Sequence, residues 1–162
     1  MEIAPILRSQ TVQNQVREVG INPNYWYPAT WALELKPGQV LPVVIWNLSI
    51  ALYRSEDGQV YAIENACPHK GVALHKGKVT GENIACPYHG WEFDGDGVCQ
   101  NIPYFPKDQT LPCAKAPSYA VREKYNIVWI FPGAVEDSET VDIPSVPEYD
   151  DPNWLAIPIP GE

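Results

Sequence analysis

Histidine is scarce in this chain, and a long apolar run is absent. The 162 residues include three histidines. No apolar stretch approaches the roughly 18 residues that a membrane-spanning helix needs, and the best one, from Val40 to Trp46, is short and contains Pro42. The first residues lack the pattern of a cleavable signal. We therefore expect no membrane span and a cytoplasmic location.

Basic residues are missing from the end of the chain. Residues 134–162 contain eight acidic and no basic side chains, whereas residues 1–133 contain 12 acidic and 11 basic ones. The net charge of −9 therefore belongs mostly to the tail. Because no basic face is available to neutralise phosphates, nucleic-acid binding is disfavoured.

Long helical patterns are also missing, since 17 prolines and 11 glycines divide the chain into short runs. Many short strands with regular turns indicate an all-β sandwich or small barrel. One hairpin is predicted to turn at residues 55–58 and another at Tyr125-Asn126. A linker is predicted around Gly77 and Gly81. Four tryptophans are expected to be core or packing residues: Trp26, Trp31, Trp46 and Trp129.

Two short motifs carry most of the chemistry. Cys67-Pro68-His69 is followed, after 16 residues, by Cys86-Pro87-Tyr88-His89. Two thiolates and two neutral imidazoles can hold a binuclear iron–sulfur cluster, one iron on the sulfurs and the other on the nitrogens. Zinc is a weaker alternative, because zinc motifs pair Cys with Cys and His with His at short spacing. Cys99 and Cys113 remain, and two free thiols are favoured over a disulfide.

The second motif and its surroundings resemble the Rieske domain of Rieske non-haem iron oxygenases. The stretch from Cys86 to Gly95 carries the resemblance, and Asn24–Pro28 and Trp91–Pro103 look like pheophorbide a oxygenase and vanillate O-demethylase. The resemblance covers residues 24–133. It implies an antiparallel β-sandwich with a small cluster-binding subdomain of two loops. It also implies the ligand set of one [2Fe–2S] cluster: Cys67, His69, Cys86 and His89.

The neighbours of these four residues distinguish between Rieske classes. In the respiratory and photosynthetic subunits a disulfide joins the two loops, at the places that Val72 and Tyr88 occupy here. Those subunits also place Ser and Tyr hydroxyls near the cluster, where this chain has Trp91 and Phe93. The disulfide cannot form, and without the two hydroxyls we expect a reduction potential at the low end of the Rieske range.

The oxygenase family also needs a mononuclear Fe(II) held by two histidines and a carboxylate. Beyond the two motif histidines only His75 is left, and it is expected to be a surface residue. The chain is therefore predicted to deliver electrons and to contain no catalytic residue. Residues 1–23 are assigned to an arm, residues 24–133 to the Rieske domain, and residues 134–162 to a connector toward a catalytic domain.

The partners follow from the resemblance. A ferredoxin or flavin reductase is expected as electron donor, and the mononuclear-iron catalytic domain as acceptor. The alternative is a stand-alone Rieske ferredoxin, a diffusible electron carrier. Three lysines near the loops either steer an acidic donor or are ordinary solvated side chains, and the sequence leaves both possibilities open: Lys70, Lys76 and Lys78.

Overall fold

The structure is a computed structural model, and it describes residues 22–106, 108–111, 114–157 and 159. Ten strands occur within the described residues: β1 Tyr27–Trp31, β2 Val40–Ile45, β3 Leu48–Arg54, β4 Val60–Glu64, β5 Lys78–Thr80, β6 Asn83–Ala85, β7 Glu92–Phe93, β8 Cys99–Asn101, β9 Ser118–Lys124 and β10 Ile127–Phe131. One antiparallel sheet has the order β1-β10-β9-β4-β3-β2, and a smaller one has the order β5-β6-β7-β8. The predicted all-β fold is confirmed.

Turn chemistry explains both predicted hairpins. Between β9 and β10, Tyr125 and Asn126 have φ values of 60° and 59°. Two successive left-handed residues form the mirror-image turn that matches the twist of paired strands. Between β3 and β4, Gly58 adopts a φ of 101°, and the Ser55 amide donates to the Gln59 carbonyl at 2.9 Å. Both hairpins are confirmed.

Two sequence predictions are corrected. Residues 78–80 are not linker but strand β5, which pairs antiparallel with β6 across a turn at Gly81. The strand alternates exposed Lys78, buried Val79 and exposed Thr80, but a run of three residues is too short to stand out as a strand in the sequence. Trp46 is not a core residue, because it lies in the β2–β3 turn with a φ of 55° and is 43% exposed.

A hydrophobic cluster joins the two sheets. It contains Tyr53 of β3 and Ile63 of β4 from the larger sheet, and Phe93 of β7 from the smaller one, all fully buried. Cys67 and Cys86 belong to the same cluster. Because these side chains pack into one cluster, both cysteine loops start from a common, rigid base. Cys99 is also buried here, and Cys113 lies outside the described residues.

The acidic segment after β10 begins against the sheet. A 3-10 turn, Val135–Glu139, follows β10. The Glu139 carboxylate forms an ion pair with the Arg122 guanidinium, with 2.8 Å between oxygen and nitrogen. The Trp26 indole donates to the Val141 carbonyl at 2.8 Å, and Ile143 is buried. Of the predicted arm, residues 1–21 lie outside the described residues. Within the described chain, no helix has the length and apolar character to cross a membrane.

Candidate iron–sulfur site

The two cysteine loops share one backbone design. In the first, the Cys67 amide donates to the Val72 carbonyl at 2.9 Å, and the Gly71 amide donates to the Cys67 carbonyl at 2.8 Å. In the second, the same two bonds run from Cys86 to Trp91 and from Gly90 to Cys86, at 2.8 and 3.0 Å. Each loop is thus closed by its own backbone.

A glycine makes each of these closures possible. Gly71 and Gly90 have φ values of +69° and +70°, a region that glycine enters without the penalty of a Cβ. The second loop also packs against the segment that follows β8, since a Cβ on Gly90 would lie 2.8 Å from the Pro103 ring. The same glycine conformation therefore shapes both loops.

The four motif side chains meet as two pairs. Cys67 and Cys86 are 3% and 4% exposed and belong to the same hydrophobic cluster. Burial is the largest of the effects that raise the pKa of the Cys67 thiol in the absence of metal. The His69 and His89 rings lie nearer to solvent, with their Nδ1 atoms 3.2 Å apart. The cysteine sulfurs therefore lie in the protein interior, and the histidine rings lie closer to the surface.

The distance between the imidazoles fits a shared metal ion. Two nitrogen ligands of a tetrahedral ion, with bonds of about 2.0–2.1 Å, lie about 3.3–3.4 Å apart. Partial desolvation and the charges of His89 and Lys70 lower the pKa of His69, which favours the neutral ring that a metal needs. Two soft thiols beside two imidazoles are the donor set of a Rieske cluster. The residues present therefore fit that group.

Aromatic rings surround the outer pair. Trp91 is half-buried and stacks on the His69 imidazole with ring centroids 4.6 Å apart and planes 6° apart. On the other side, the exposed Tyr88 ring contacts the His89 ring, with centroids 3.7 Å apart. Trp91 therefore covers one face of the His69 imidazole.

The remaining histidine does not join the site. His75 is half-buried rather than a surface residue, and it bonds to the buried side chain of Asn65. The sequence analysis did not identify Asn65, because its bond to His75 depends on side chains that the fold brings together. Among the described residues, no group of three or more His, Cys, Asp or Glu side chains is placed to hold a single metal ion.

An antiparallel sandwich with two like loops, inner thiols and outer imidazoles is the arrangement expected of an electron-transfer domain. The family model of the Rieske [2Fe-2S] domain matches residues 25–120, and the chain belongs to this family. Its cofactor is therefore the Rieske-type [2Fe–2S] cluster, and its fold is that of the electron-transferring domain of Rieske oxygenases.

Known relatives are oxygenases. The chain is 38% identical over 91% of its length to 4beta-methylsterol monooxygenase of Methylococcus capsulatus. It is 35% identical over 90% to chlorophyllide a oxygenase of Chlamydomonas reinhardtii. A crystal structure of dicamba monooxygenase aligns over 82% of this chain and 38% of that chain, with a TM-score of 0.73 and 34% identity. The chain spans only 41% and 22% of the two curated relatives.

Proposed function

We propose that this chain is the electron-delivering domain of a Rieske non-haem iron oxygenase. Cys67 and Cys86 bind one iron of the [2Fe–2S] cluster, and His69 and His89 bind the other. The observation that carries the proposal is the approach of the two imidazole Nδ1 atoms to 3.2 Å beside two buried thiols. When bound, the cluster accepts and releases single electrons.

The chain's own residues set the surroundings of that cluster. Burial of Cys67 and Cys86 keeps water from the sulfur side. His89 is exposed, and each imidazole keeps a second ring nitrogen that can bond to a carboxylate on a partner. The outer edge therefore serves as the contact through which an acceptor receives the electron.

The acceptor is a mononuclear Fe(II) site in a second domain, joined through the connector formed by residues 134–162. The oxygenase relatives and their greater length support this assignment. Sequencing the coding region beyond Glu162 tests it. A downstream Asp/Asn-x₂-His-x₄-His segment is expected, whereas a stop codon at that point makes the chain a diffusible Rieske ferredoxin.

A ferredoxin or flavin reductase with an acidic face is the electron donor. Lys70, Lys76 and Lys78 are exposed, and none of them forms an ion pair with a described residue. Between residues 65 and 91 the single acid is Glu82, at the far turn of β5 and β6. Lys76 and Lys78 line a groove of about 400 Å³ beside Cys86. The location is the cytoplasm, where a reducing environment suits Cys99, a thiol that forms no disulfide with a described residue.

Electron paramagnetic resonance of the reduced, purified chain tests the function. A rhombic iron–sulfur signal is expected, and iron analysis of the same sample should give two irons per chain. A sample without a signal would overturn the proposal. Cys67→Ala and His89→Ala should each abolish the signal. Cys99→Ala is the matched control, because Cys99 is equally buried but lies outside both motifs, and it should keep the signal.

A further inference from the structure

The 3-10 turn Leu74–Lys76 lies between the two cysteine loops. Leu74 is fully buried, in the same hydrophobic cluster as Cys67 and Cys86. The turn closes with a bond from the Gly77 amide to the Leu74 carbonyl at 2.9 Å. A movement of this turn therefore disturbs the packing around both cysteines.

Hydrogen bonds between Asn65 and His75 connect the turn to the chain just before the first loop. The His75 Nδ1 lies 2.8 Å from the Asn65 Nδ2 and 3.1 Å from the Asn65 Oδ1, and the His75 backbone amide donates to that Oδ1 at 2.8 Å. Because the Nδ2 is the nearer atom and the Oδ1 already accepts from the amide, we assign the Asn65 Nδ2 as donor and the His75 Nδ1 as acceptor. The Asn65 Nδ2 also donates to the Ser49 hydroxyl at 3.2 Å. Asn65 is only 8% exposed, so these bonds are sheltered from water, and it lies two residues before Cys67.

A backbone contact between Gly77 and Ala85 connects the same turn to the chain just before the second loop. A Cβ built on Gly77 would lie 1.9 Å from the carbonyl oxygen of Ala85, so the two backbones touch. The next residue, Lys78, pairs with Ala85 in the β5–β6 ladder. Ala85 directly precedes Cys86. The turn thus touches the chain beside each of the two inner cysteines.

No disulfide joins the two loops, since Val72 and Tyr88 stand where the respiratory and photosynthetic subunits carry one. We infer that Asn65 and His75 are positioning residues that hold the turn Leu74–Lys76 between the loops and so fix Cys67 relative to Cys86. His75 acts here as a hydrogen-bond acceptor and not as an iron ligand. This inference rests on the proposed cluster, but its failure can be observed separately.

The test measures the rate at which the visible absorbance of the cluster is lost in excess iron chelator. His75→Leu removes the acceptor and should lose the cluster about fivefold faster than wild type, the effect of one neutral hydrogen bond. His75→Asn places an acceptor near the former Nδ1 and should restore the rate to within about twofold. His75→Gln offers its acceptor further out and should resemble His75→Leu, which keeps the test decisive if His75→Leu does not fold.

A double-mutant cycle separates coupling from general destabilisation. Asn65→Ala also removes the bonds to the His75 amide and the Ser49 hydroxyl, so it should accelerate cluster loss at least as much as His75→Leu. The double variant should be no faster than Asn65→Ala alone. The matched control is Asn83→Ala in β6, which should keep the wild-type rate. Equal rates in wild type and His75→Leu, no rescue by His75→Asn, or multiplied effects in the double variant would overturn the inference. A wild-type chain that binds no cluster overturns the proposed function instead.

Discussion

The indole of Trp91 lies flat on the imidazole of His69, with ring centroids 4.6 Å apart and planes 6° apart. Because Trp91 follows the second loop and His69 belongs to the first, this stack bridges the loops on their solvent side. An aromatic pair of this kind contributes about 0.5–1.5 kcal/mol. Trp91→Leu should therefore lose the cluster about two- to tenfold faster in chelator, whereas Trp91→Phe should stay close to wild type.

The control for this prediction is Trp46→Leu. Trp46 is half-exposed in the β2–β3 turn, so its replacement should leave the rate of cluster loss unchanged. Equal rates for Trp91→Leu and Trp91→Phe would show that ring stacking is irrelevant. The visible absorbance of the cluster, followed over time at fixed temperature, provides the measurement.

The sequence predicts what local chemistry determines and misses what the tertiary structure determines. The turns of both predicted hairpins and the pairing of one Cys with one His in each loop follow from residue types at short spacing. Strand β5 also forms a local hairpin, with β6 across the turn at Gly81, but a run of three residues is too short to stand out in the sequence. The bond between Asn65 and His75 does not follow from the sequence, because it depends on side chains that the fold brings together. The same reason hides the exposure of Trp46, since a large aromatic residue beside a strand is usually buried.

The backbone contact at Gly77 predicts a steric defect. In Gly77→Ala the new Cβ meets the Ala85 carbonyl, and the overpacked backbone should cost about 1–3 kcal/mol. We expect a lower unfolding midpoint and poor cluster incorporation. Gly81→Asn is the control, because the space at Gly81 is open and asparagine tolerates its φ of +60°. Urea unfolding followed by circular dichroism measures both variants, and equal midpoints would contradict the contact.

A pH dependence is expected at the β3–β4 turn. The Ser55 hydroxyl and, more weakly, the Gln59 amide donate to Asp57 and lower the pKa of that carboxyl below its ordinary 3.8. A lowered pKa means that the stabilisation is complete above pH 3.8 and is lost as the pH falls through the folded-state pKa. Asp57→Asn should thus reduce the thermal midpoint near neutral pH, and its deficit should shrink toward pH 3.

The neighbouring acid provides the comparison for that series. Glu56 is exposed in the same turn, so Glu56→Gln should show no such convergence with wild type. The measurement is the thermal unfolding midpoint of wild type, Asp57→Asn and Glu56→Gln between about pH 3 and pH 7. A deficit of Asp57→Asn that stays constant, or grows, as the pH falls would rule out the assigned hydrogen bonds.

The lysines beside the second loop predict a salt-dependent reduction rate. Steering by Lys76 and Lys78 should make reduction by an acidic ferredoxin faster at low ionic strength. The double variant Lys76→Gln/Lys78→Gln should be several-fold slower at about 20 mM salt and equal to wild type at about 500 mM. The control is the double variant Lys36→Gln/Lys124→Gln. It removes the same charge before β2 and at the end of β9, away from the two cysteine loops. If both double variants slow equally, net charge and not this surface is responsible.

The absence of a hydroxyl at Phe93 predicts the reduction potential. Phe93 is fully buried in the cluster of side chains that holds Cys67 and Cys86, and it offers no hydrogen bond to sulfur. The midpoint potential should therefore lie below about 0 mV, in the lower part of the Rieske range. Phe93→Tyr should raise it by about 60 mV if the new hydroxyl reaches a cysteine sulfur, since a bond of about 1.4 kcal/mol corresponds to that shift in a one-electron couple.

The matched control is Phe131→Tyr, which adds the same hydroxyl to a fully buried phenylalanine in a different hydrophobic cluster. Its potential should equal that of wild type, because the added group lies away from the cysteines. Redox titration monitored by visible absorbance gives all three values. A wild-type midpoint clearly above 0 mV, or equal shifts in Phe93→Tyr and Phe131→Tyr, would contradict a potential set by hydrogen bonding at the sulfurs, because only the first hydroxyl lies among the cysteines.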